Sequence, residues 1–430
     1  MFSFAALVAI VVFLFVYMLI VSEKVNKTVV VMLGSLLLFL FKIYVDQNYD
    51  TQFSHAIDFV DFNVIGLIIG MMIIVQVTNK SGVFTHVAMR LVAYAKCDMK
   101  KVFFLLMLFT ALITAFISNV TAVMVMTPIF LAICLRFKLN PVPFLMTEIL
   151  MSNIGGTATP LGDMTNIIIA SKAGFSFAKI VSNLGPVVIV VAIVVALLAI
   201  LYFGDELKSK ADVCLEDLQG ESFIQDRSLM VKGLSVLFVV VLALIFKNQL
   251  SLDNGPIAMA GAMFLLLITG IKPEEAFKDY VNWSIIFFFV GLFILIGALE
   301  VTGVVDVLAH AIVDATGDNL GLLAIIMLLV SAIFSAFIDN IPFATTMIPI
   351  IQNIGVLTEV GTDPLFWALA LGACIGGSGT IIGASCNLVV IGLAEHNGIK
   401  ITFFQYLKYA FPMMLLGILI SAIYLYLFML

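Results

Sequence analysis

Long apolar runs separated by short polar breaks govern this chain. Phe2 to Val21, Phe177 to Phe203, Leu229 to Phe246 and Tyr409 to Leu430 are near or above the roughly 18 to 20 residues that cross a bilayer as helix. Each run has to be helical, because lipid offers backbone groups no other partner. The polar breaks carry a second pattern. Residues Ile154 to Asn166, IGGTATPLGDMTN, return 221 positions later as Ile375 to Asn387, IGGSGTIIGASCN, with six of thirteen pairs identical. The same offset sets AFISNVTAVMVMTPI (Ala115 to Ile129) on AFIDNIPFATTMIPI (Ala336 to Ile350), with seven identities in fifteen. The match runs without a gap from Ile65/Ile286 to Asn166/Asn387.

One long polar segment, Gly204 to Arg227, separates the copies. It divides the chain into a first repeat at 1–204, a linker at 205–227 and a second repeat at 228–430. The first half predicts about five crossings, at 3–21, 28–44, 62–79, an interrupted one at 141–171, and 177–203. Lys101 to Arg136 is long enough for two helices but has Ser118, Asn119 and Thr121 in its middle, so it predicts a re-entrant helical hairpin. Its counterpart, Leu320 to Leu357, turns at Asp339, Asn340 and Pro342. Internal repeats of this size are one way of building transporters.

Charge decides how the copies are related. The first half has Lys80, Arg90, Lys96, Lys100, Lys101, Arg136 and Lys138, whereas the matching stretch Val301 to Glu359 has no Lys or Arg and carries Asp306, Asp314, Asp318 and Glu359. Cytoplasmic loops collect Lys and Arg, so equivalent segments lie on opposite sides of the membrane. The expected fold is therefore an all-α integral membrane protein of two inverted-topology repeats, each with about five spans, a re-entrant hairpin and a broken helix. An odd span count reverses the second copy independently. The linker is expected on the cytoplasmic side of the cell membrane and both termini outside, with Lys172 and Lys179 as exceptions to the charge rule.

Composition agrees. At 63% hydrophobic and 11% charged residues, with a mean hydropathy of +1.21, there is too little polar surface to cover a soluble globule. The net charge of −6 argues against a nucleic-acid partner. The first apolar run lacks a basic leader and is read as a retained span, not a cleaved signal. Five cysteines (Cys97, Cys134, Cys214, Cys374, Cys386) show no CxxC or disulfide spacing and read as structural thiols. His55, His86, His310 and His396 fall near predicted helix ends, where surface or interface roles are expected.

Polar side chains at membrane depth are costly unless they bind something or bond each other. Four clusters are candidates for one site. The hairpins supply Ser118, Asn119 and Thr121, and Asp339, Asn340, Thr345 and Thr346. The broken crossings supply Thr157, Thr159, Asp163, Thr165 and Asn166, and Ser378, Thr380, Ser385 and Asn387. Gly155 and Gly156, and Gly376, Gly377 and Gly379, make helix expensive and predict that it unwinds there. Exposed carbonyls with Asn, Thr and Ser oxygens suit a dehydrated Na+, with Asn119, Asn166, Asn340 and Asn387 as its candidate ligands, while half-helix N-termini suit an anion. Asp163 (Ala384 in the other copy) and Asp339 (Ser118) give one acid per half to a shared centre. With Glu148 (Leu369), and Glu395 more remotely, they are candidates for carrying a coupling proton or for ligating a cation. No basic residue is expected at the site. Small residues such as those of Gly66xxxGly70 and Gly372xxxGly376 serve helix packing equally well.

At these motifs the sequence resembles the arsenite permease and melanosomal P protein group of the ion transporter superfamily, which also holds NhaD-type sodium/proton antiporters and dicarboxylate/sodium symporters. The resemblance rests on TEILMSNIGGTATPLGD (Thr147 to Asp163), DNIPFATTMIPI (Asp339 to Ile350) and GACIGGSGTIIGASCNLVVIGLAEHNG (Gly372 to Gly398), with Ser118-Asn119-Val120-Thr121 similar to the symporters' hairpin tip. It implies a scaffold and a transport domain, a homodimer, an elevator movement, and ion and substrate loops at Asn119, Asn340, Asn166 and Asn387. The chain departs from the pattern twice: at Ser118-Asn119, where many relatives have Asp-Asn, and at Gly162-Asp163-Met164-Thr165-Asn166, where they have Gly-Asp-Pro-Pro-Asn. The expected function is secondary transport of a small anion, arsenite-like, inorganic or carboxylate, coupled to Na+ or H+ without other cofactors. Sodium/proton antiport through Asp163 and Asp339 is the alternative, and an uncoupled anion channel a third. No HExxH, nucleophile and base pair or metal-ligand cluster points to an enzyme.

Overall fold

The computed structural model describes residues 3–22, 25–46, 48–96, 98–207, 223–316, 319–358 and 361–430. Cys97, Cys214, Asp318, Glu359 and most of the expected linker lie outside the described residues. All regular structure described is helical. The first half contains α1 (Phe4–Ser22), α2 (Lys27–Leu40), α3 (Gln52–Ile57), α4 (Phe62–Asn79), α5 (Val83–Tyr94), α6 (Met99–Phe116), α7 (Asn119–Arg136), α8 (Val142–Gly156), α9 (Met164–Lys172) and α10 (Phe177–Tyr202). The second contains α11 (Arg227–Ile245), the single turn α12 (Lys247–Leu250), α13 (Asn254–Thr269), α14 (Pro273–Asp279), α15 (Trp283–Val301), α16 (Val304–Thr316), α17 (Leu320–Phe337), α18 (Asn340–Thr358), α19 (Asp363–Gly376), α20 (Ser385–His396) and α21 (Phe403–Phe428). Each of α4 to α9 begins at the residue that the sequence repeat pairs with the start of α15 to α20, as Phe62 pairs with Trp283 and Asn119 with Asn340. Among the described residues, nine helices are long and apolar enough to cross a membrane.

Local sequence explains where the helices start. Asp61, Asp98, Ser176, Asp226, Asn319 and Thr402 each precede an apolar run and accept a hydrogen bond from a first-turn amide, which satisfies a donor the helix leaves open. The halves are interleaved: α4 packs on α13 and α2 on α15. The first of these contacts needs Gly66 and Gly70, since a Cβ at Gly70 would lie 2.6 Å from the Ala258 carbonyl oxygen. The packing reading of Gly66xxxGly70 is therefore correct. Gly372 and Gly376 serve α19 in the same way, against Leu328 and Ala332 of α17.

Two sequence expectations are refined here. The crossings unwind where the glycines predict it, with Gly377 and Gly379 in the non-helical break, but α8 still runs through Gly155 and Gly156 and α19 through Gly376. Their smallness is used for close approach, Gly155 facing Ala111 of α6 as Gly376 faces Ala332. The chain leaves helix at Thr157 and Gly377. Pro342 lies in the first turn of α18 and not in the turn before it, where its missing N–H costs nothing.

Candidate functional site

The two breaks, between α8 and α9 and between α19 and α20, are held by equivalent bonds. The Thr159 hydroxyl donates to the Ala115 carbonyl and the Thr380 hydroxyl to the Ala336 carbonyl, tying each break to the last turn of the preceding hairpin arm. Asn166 Nδ2 donates to the Thr157 carbonyl at 2.9 Å and faces those of Thr159 (3.4 Å) and Gly156 (3.5 Å). Asn387 Nδ2 donates to the carbonyls of Gly377 (2.8 Å) and Thr380 (2.9 Å). Thr157 and Ser378 bond back to Asn153 and Ile375 in their own helices. Much of the repeated polar motif thus satisfies carbonyls that unwinding frees.

Asp163 occupies the centre. Its Oδ2 accepts from Asn119 Nδ2 at 3.0 Å and from Asn340 Nδ2 at 2.9 Å, so one carboxylate joins the tips of both hairpins. Its Oδ1 accepts from the Thr165 amide at 2.9 Å and caps α9. Asp163, Asn119, Asn340 and Asn166 are all buried. The Asn119 amide also donates to the Gly162 carbonyl at 2.9 Å.

Asp339 does not join that bond set. Its Oδ2 accepts from Lys27 Nζ at 3.0 Å and from the Ser385 hydroxyl at 2.5 Å, in a cavity of about 360 Å3. The expectation that no basic residue stands at the site is therefore wrong. Lys27 opens α2 and read in the sequence as part of a loop, and no local pattern links it to a residue 312 positions away. Ser118 and Thr121 line a second, much smaller space beside α4. Thr345 and Thr346 spend their hydroxyls on the Ile341 and Pro342 carbonyls one turn back.

Glu148 is fully buried in α8, with Oε1 accepting from Thr127 of α7 at 2.9 Å and Oε2 unpartnered, and it shares no hydrogen bond with Asp163. Glu395 is exposed near the end of α20 and is not part of the site. Sequence reasoning missed Asn153, whose Nδ2 donates to Asn387 Oδ1 at 2.9 Å and so joins α8 to α20, and Tyr406, whose hydroxyl donates to the Ser378 carbonyl at 2.7 Å. Asn153 stands between Thr147 and Gly155 in the most recognisable motif, and its polarity inside a helix was the available signal. His55, expected in a surface or interface role, is buried and stacks on Tyr49 with ring centroids 4.2 Å apart. Cys134, Cys374 and Cys386 are buried free thiols.

Comparison with known proteins places this arrangement in context. A family model described as citrate transporter matches residues 17–372. An uncharacterized transporter of Mycobacterium tuberculosis is 39% identical over 429 residues, covering 98% of each chain. The human P protein is 30% identical over 490 residues, which span 95% of this chain and 58% of that protein. In structure, the YdaH transporter of Alcanivorax borkumensis aligns with a TM-score of 0.57 over 85% of each chain at 13% identity, which speaks to the fold alone.

Proposed function

The chain belongs to the citrate transporter family and is an integral, multi-pass membrane transporter of the P protein type; from this premise we propose that it carries a small anion, inorganic or carboxylate, by alternating access coupled to Na+ or H+. The observation that carries the proposal is the Asp163 carboxylate held between Asn119 and Asn340. A transporter must connect its two gates to one substrate site, and here a single buried group ties the hairpin of each half to a broken helix. The carbonyls of Gly156, Thr157 and Thr159 converge on Asn166, and those of Gly377 and Thr380 on Asn387. A dehydrated Na+ displacing either amide group would meet several oxygens at once. Asn119 and Asn340 complete the proposed ion and substrate loops.

Inverted repeats, with boundaries at 1–204 and 228–430, are part of the same proposal, and pairs of polar contacts support them. Lys80, at the end of α4, bonds Glu275 at 2.9 Å and lies over the ring of Tyr280, just before α15 begins. This pairing of the end of α4 with the approach to α15 supports equivalent helices that run from opposite faces. Lys100 and Lys101 at the start of α6 share a cavity with Leu197 and Ile200 near the end of α10, while Asn140, just beyond α7, bonds Glu206 there. These contacts support a first hairpin whose two ends reach one face, as re-entry requires. Gln225 bonds Ser81 on the Lys80 face, which by the lysine count is cytoplasmic; both termini then lie outside.

Sodium/proton antiport is the second reading, because the buried Asp163 and the partly buried Asp339 are both carboxylates near the hairpin tips. Reconstituted protein separates the two. If an imposed Na+ gradient moves protons with no anion present, and Asp163→Asn abolishes that movement, the anion reading fails. Saturable uptake of citrate or arsenite with no anion-free proton movement supports it.

A further inference from the structure

The two spaces beside the hairpin turns are lined by repeat-equivalent residues, yet they differ in size and chemistry. The space beside the first hairpin, of about 20 Å3, is lined by Ser118, Leu161 and Met164 among others. The space beside the second, of about 360 Å3, has Asp339, Ile382 and Ser385 at the equivalent positions and adds Lys27 from α2. Only the second is large enough for a small organic or inorganic anion, and only it has a cation on its wall. The Lys27 side chain is 37% exposed, so a ligand can reach it.

The positive character of this cavity is greater than one lysine supplies. Lys27 is the first residue of α2 and Ser385 the first of α20, so two helix N-termini with their partial positive charge border the cavity. In the first half the matching helix, α9, is capped by a carboxylate of the protein itself, Asp163. In the second half Ala384 stands at that position and no side chain caps α20. The negative group present is Asp339, which takes the ammonium of Lys27 and the hydroxyl of Ser385 on one oxygen. Lys27 Nζ also donates to the Ser385 oxygen at 2.5 Å, so lysine and serine form a contiguous donor pair.

We propose that Lys27 and Ser385 are the donor pair of an anion site for a carboxylate or oxyanion group, which Asp339 occupies as a tethered stand-in until a substrate anion and a neutralising cation displace it together. The inference rests on the anion-transport reading. Its logic is charge conservation in a poorly hydrated space. An anion that takes Lys27 from Asp339 leaves a largely buried carboxylate, 11% exposed, without its counter-ion, a state less favourable than the pair. Entry of one proton or one Na+ at Asp339 restores neutrality, so anion and cation enter in step. Besides Lys27, the ionisable groups facing Asp339 are Tyr17 of α1, Asp163 at the start of α9 and the Cys386 thiol of α20. Asp163 is already engaged by Asn119 and Asn340. Asp339 thus exchanges its partner while Asp163 keeps the hairpins joined.

The test uses the full chain in proteoliposomes, with labelled citrate and, separately, arsenite as probes. Lys27→Gln is expected to raise the KM for the transported anion about tenfold or more, since a desolvated charge partner is lost, with a smaller change in maximal rate. Lys27→Arg should restore it. Asp339→Asn should lower the KM and remove its dependence on the driving cation. Lys27→Gln with Asp339→Asn leaves no unpaired buried charge and should keep the raised KM, which separates loss of the site from loss of the fold. An unchanged KM in Lys27→Gln, while wild-type protein accumulates the anion, overturns this inference and leaves the anion reading intact. If wild-type protein accumulates neither probe, the anion reading itself fails.

Discussion

Asp163 and Asn340 lie 177 positions apart in the chain, yet their side chains bond at 2.9 Å in a buried setting. The contact joins the broken helix of one half to the hairpin of the other. Removing it with Asn340→Ala leaves a buried carboxylate short of a donor, at a cost of about 1.5–3 kcal/mol for a bond to a charged group. A double-mutant cycle with Asp163→Asn, read by thermal unfolding in detergent, should show a coupling of at least about 0.5 kcal/mol. Strict additivity would mean that the two residues do not interact.

The equivalent ties from Thr159 to Ala115 and from Thr380 to Ala336 predict equivalent losses. Thr159→Val and Thr380→Val should each destabilise by about 1 kcal/mol through an unsatisfied carbonyl. Each should also slow transport, because the breaks would no longer be anchored to the hairpin arms. A large effect from one and none from the other would show that the equivalent bonds do different jobs.

Glycines separate packing from flexibility. A Cβ at Gly155 would meet the backbone and side chains of α6, whereas at Gly392, in α20, nothing lies within 4 Å. Gly155→Ala is expected to cost about 1–3 kcal/mol by overpacking, and Gly392→Ala to be neutral or to stabilise by up to about 1 kcal/mol through helix propensity. Unfolding midpoints of both variants check the pair. Equal tolerance at the two positions would contradict the tight α6 and α8 contact.

Outside the membrane spans, Lys80 bonded to Glu275 holds that carboxyl below the usual carboxylate range, and the Tyr280 hydroxyl adds to the effect. A depressed carboxylate contributes stability that is present above its unfolded value, near pH 4.3, and is lost as pH falls through the lower folded one. The pair is half-exposed, so its effect is small. Lys80→Met should lower Tm slightly at pH 7, and the difference from wild type should shrink as pH falls below the unfolded value. A difference that grows in acid would reverse the sign and refute the assignment.

Much of this is legible in the chain alone. The recurrence of a Gly/Thr/Asn motif located both helix breaks, because backbone unwound inside an apolar run needs polar side chains as partners. It also located both hairpin turns, through Ser118-Asn119 and Asp339-Asn340. What stayed hidden was partnership across the halves. Lys27 is an ordinary loop-edge lysine until α2 and the second hairpin are brought together, and Asn153 looks like any helical polar residue until α20 packs beside it. Sequence symmetry assigned Asp163 and Asp339 one shared role, whereas packing gives the first to the hairpin junction and the second to a lysine. The glycines marked where helix ends, and the close contacts that Gly155 and Gly376 make there had no signal in the sequence.

The central claim, coupled anion transport around Asp163, is tested most directly by the accumulation ratio of labelled citrate or arsenite in proteoliposomes under imposed Na+ and H+ gradients. Wild-type protein should concentrate one of these anions inside above its external level under one of the gradients. Asp163→Asn should retain at most gradient-independent exchange. Uptake that only equilibrates the anion, at the same rate with and without a cation gradient, would contradict the account and point to a channel.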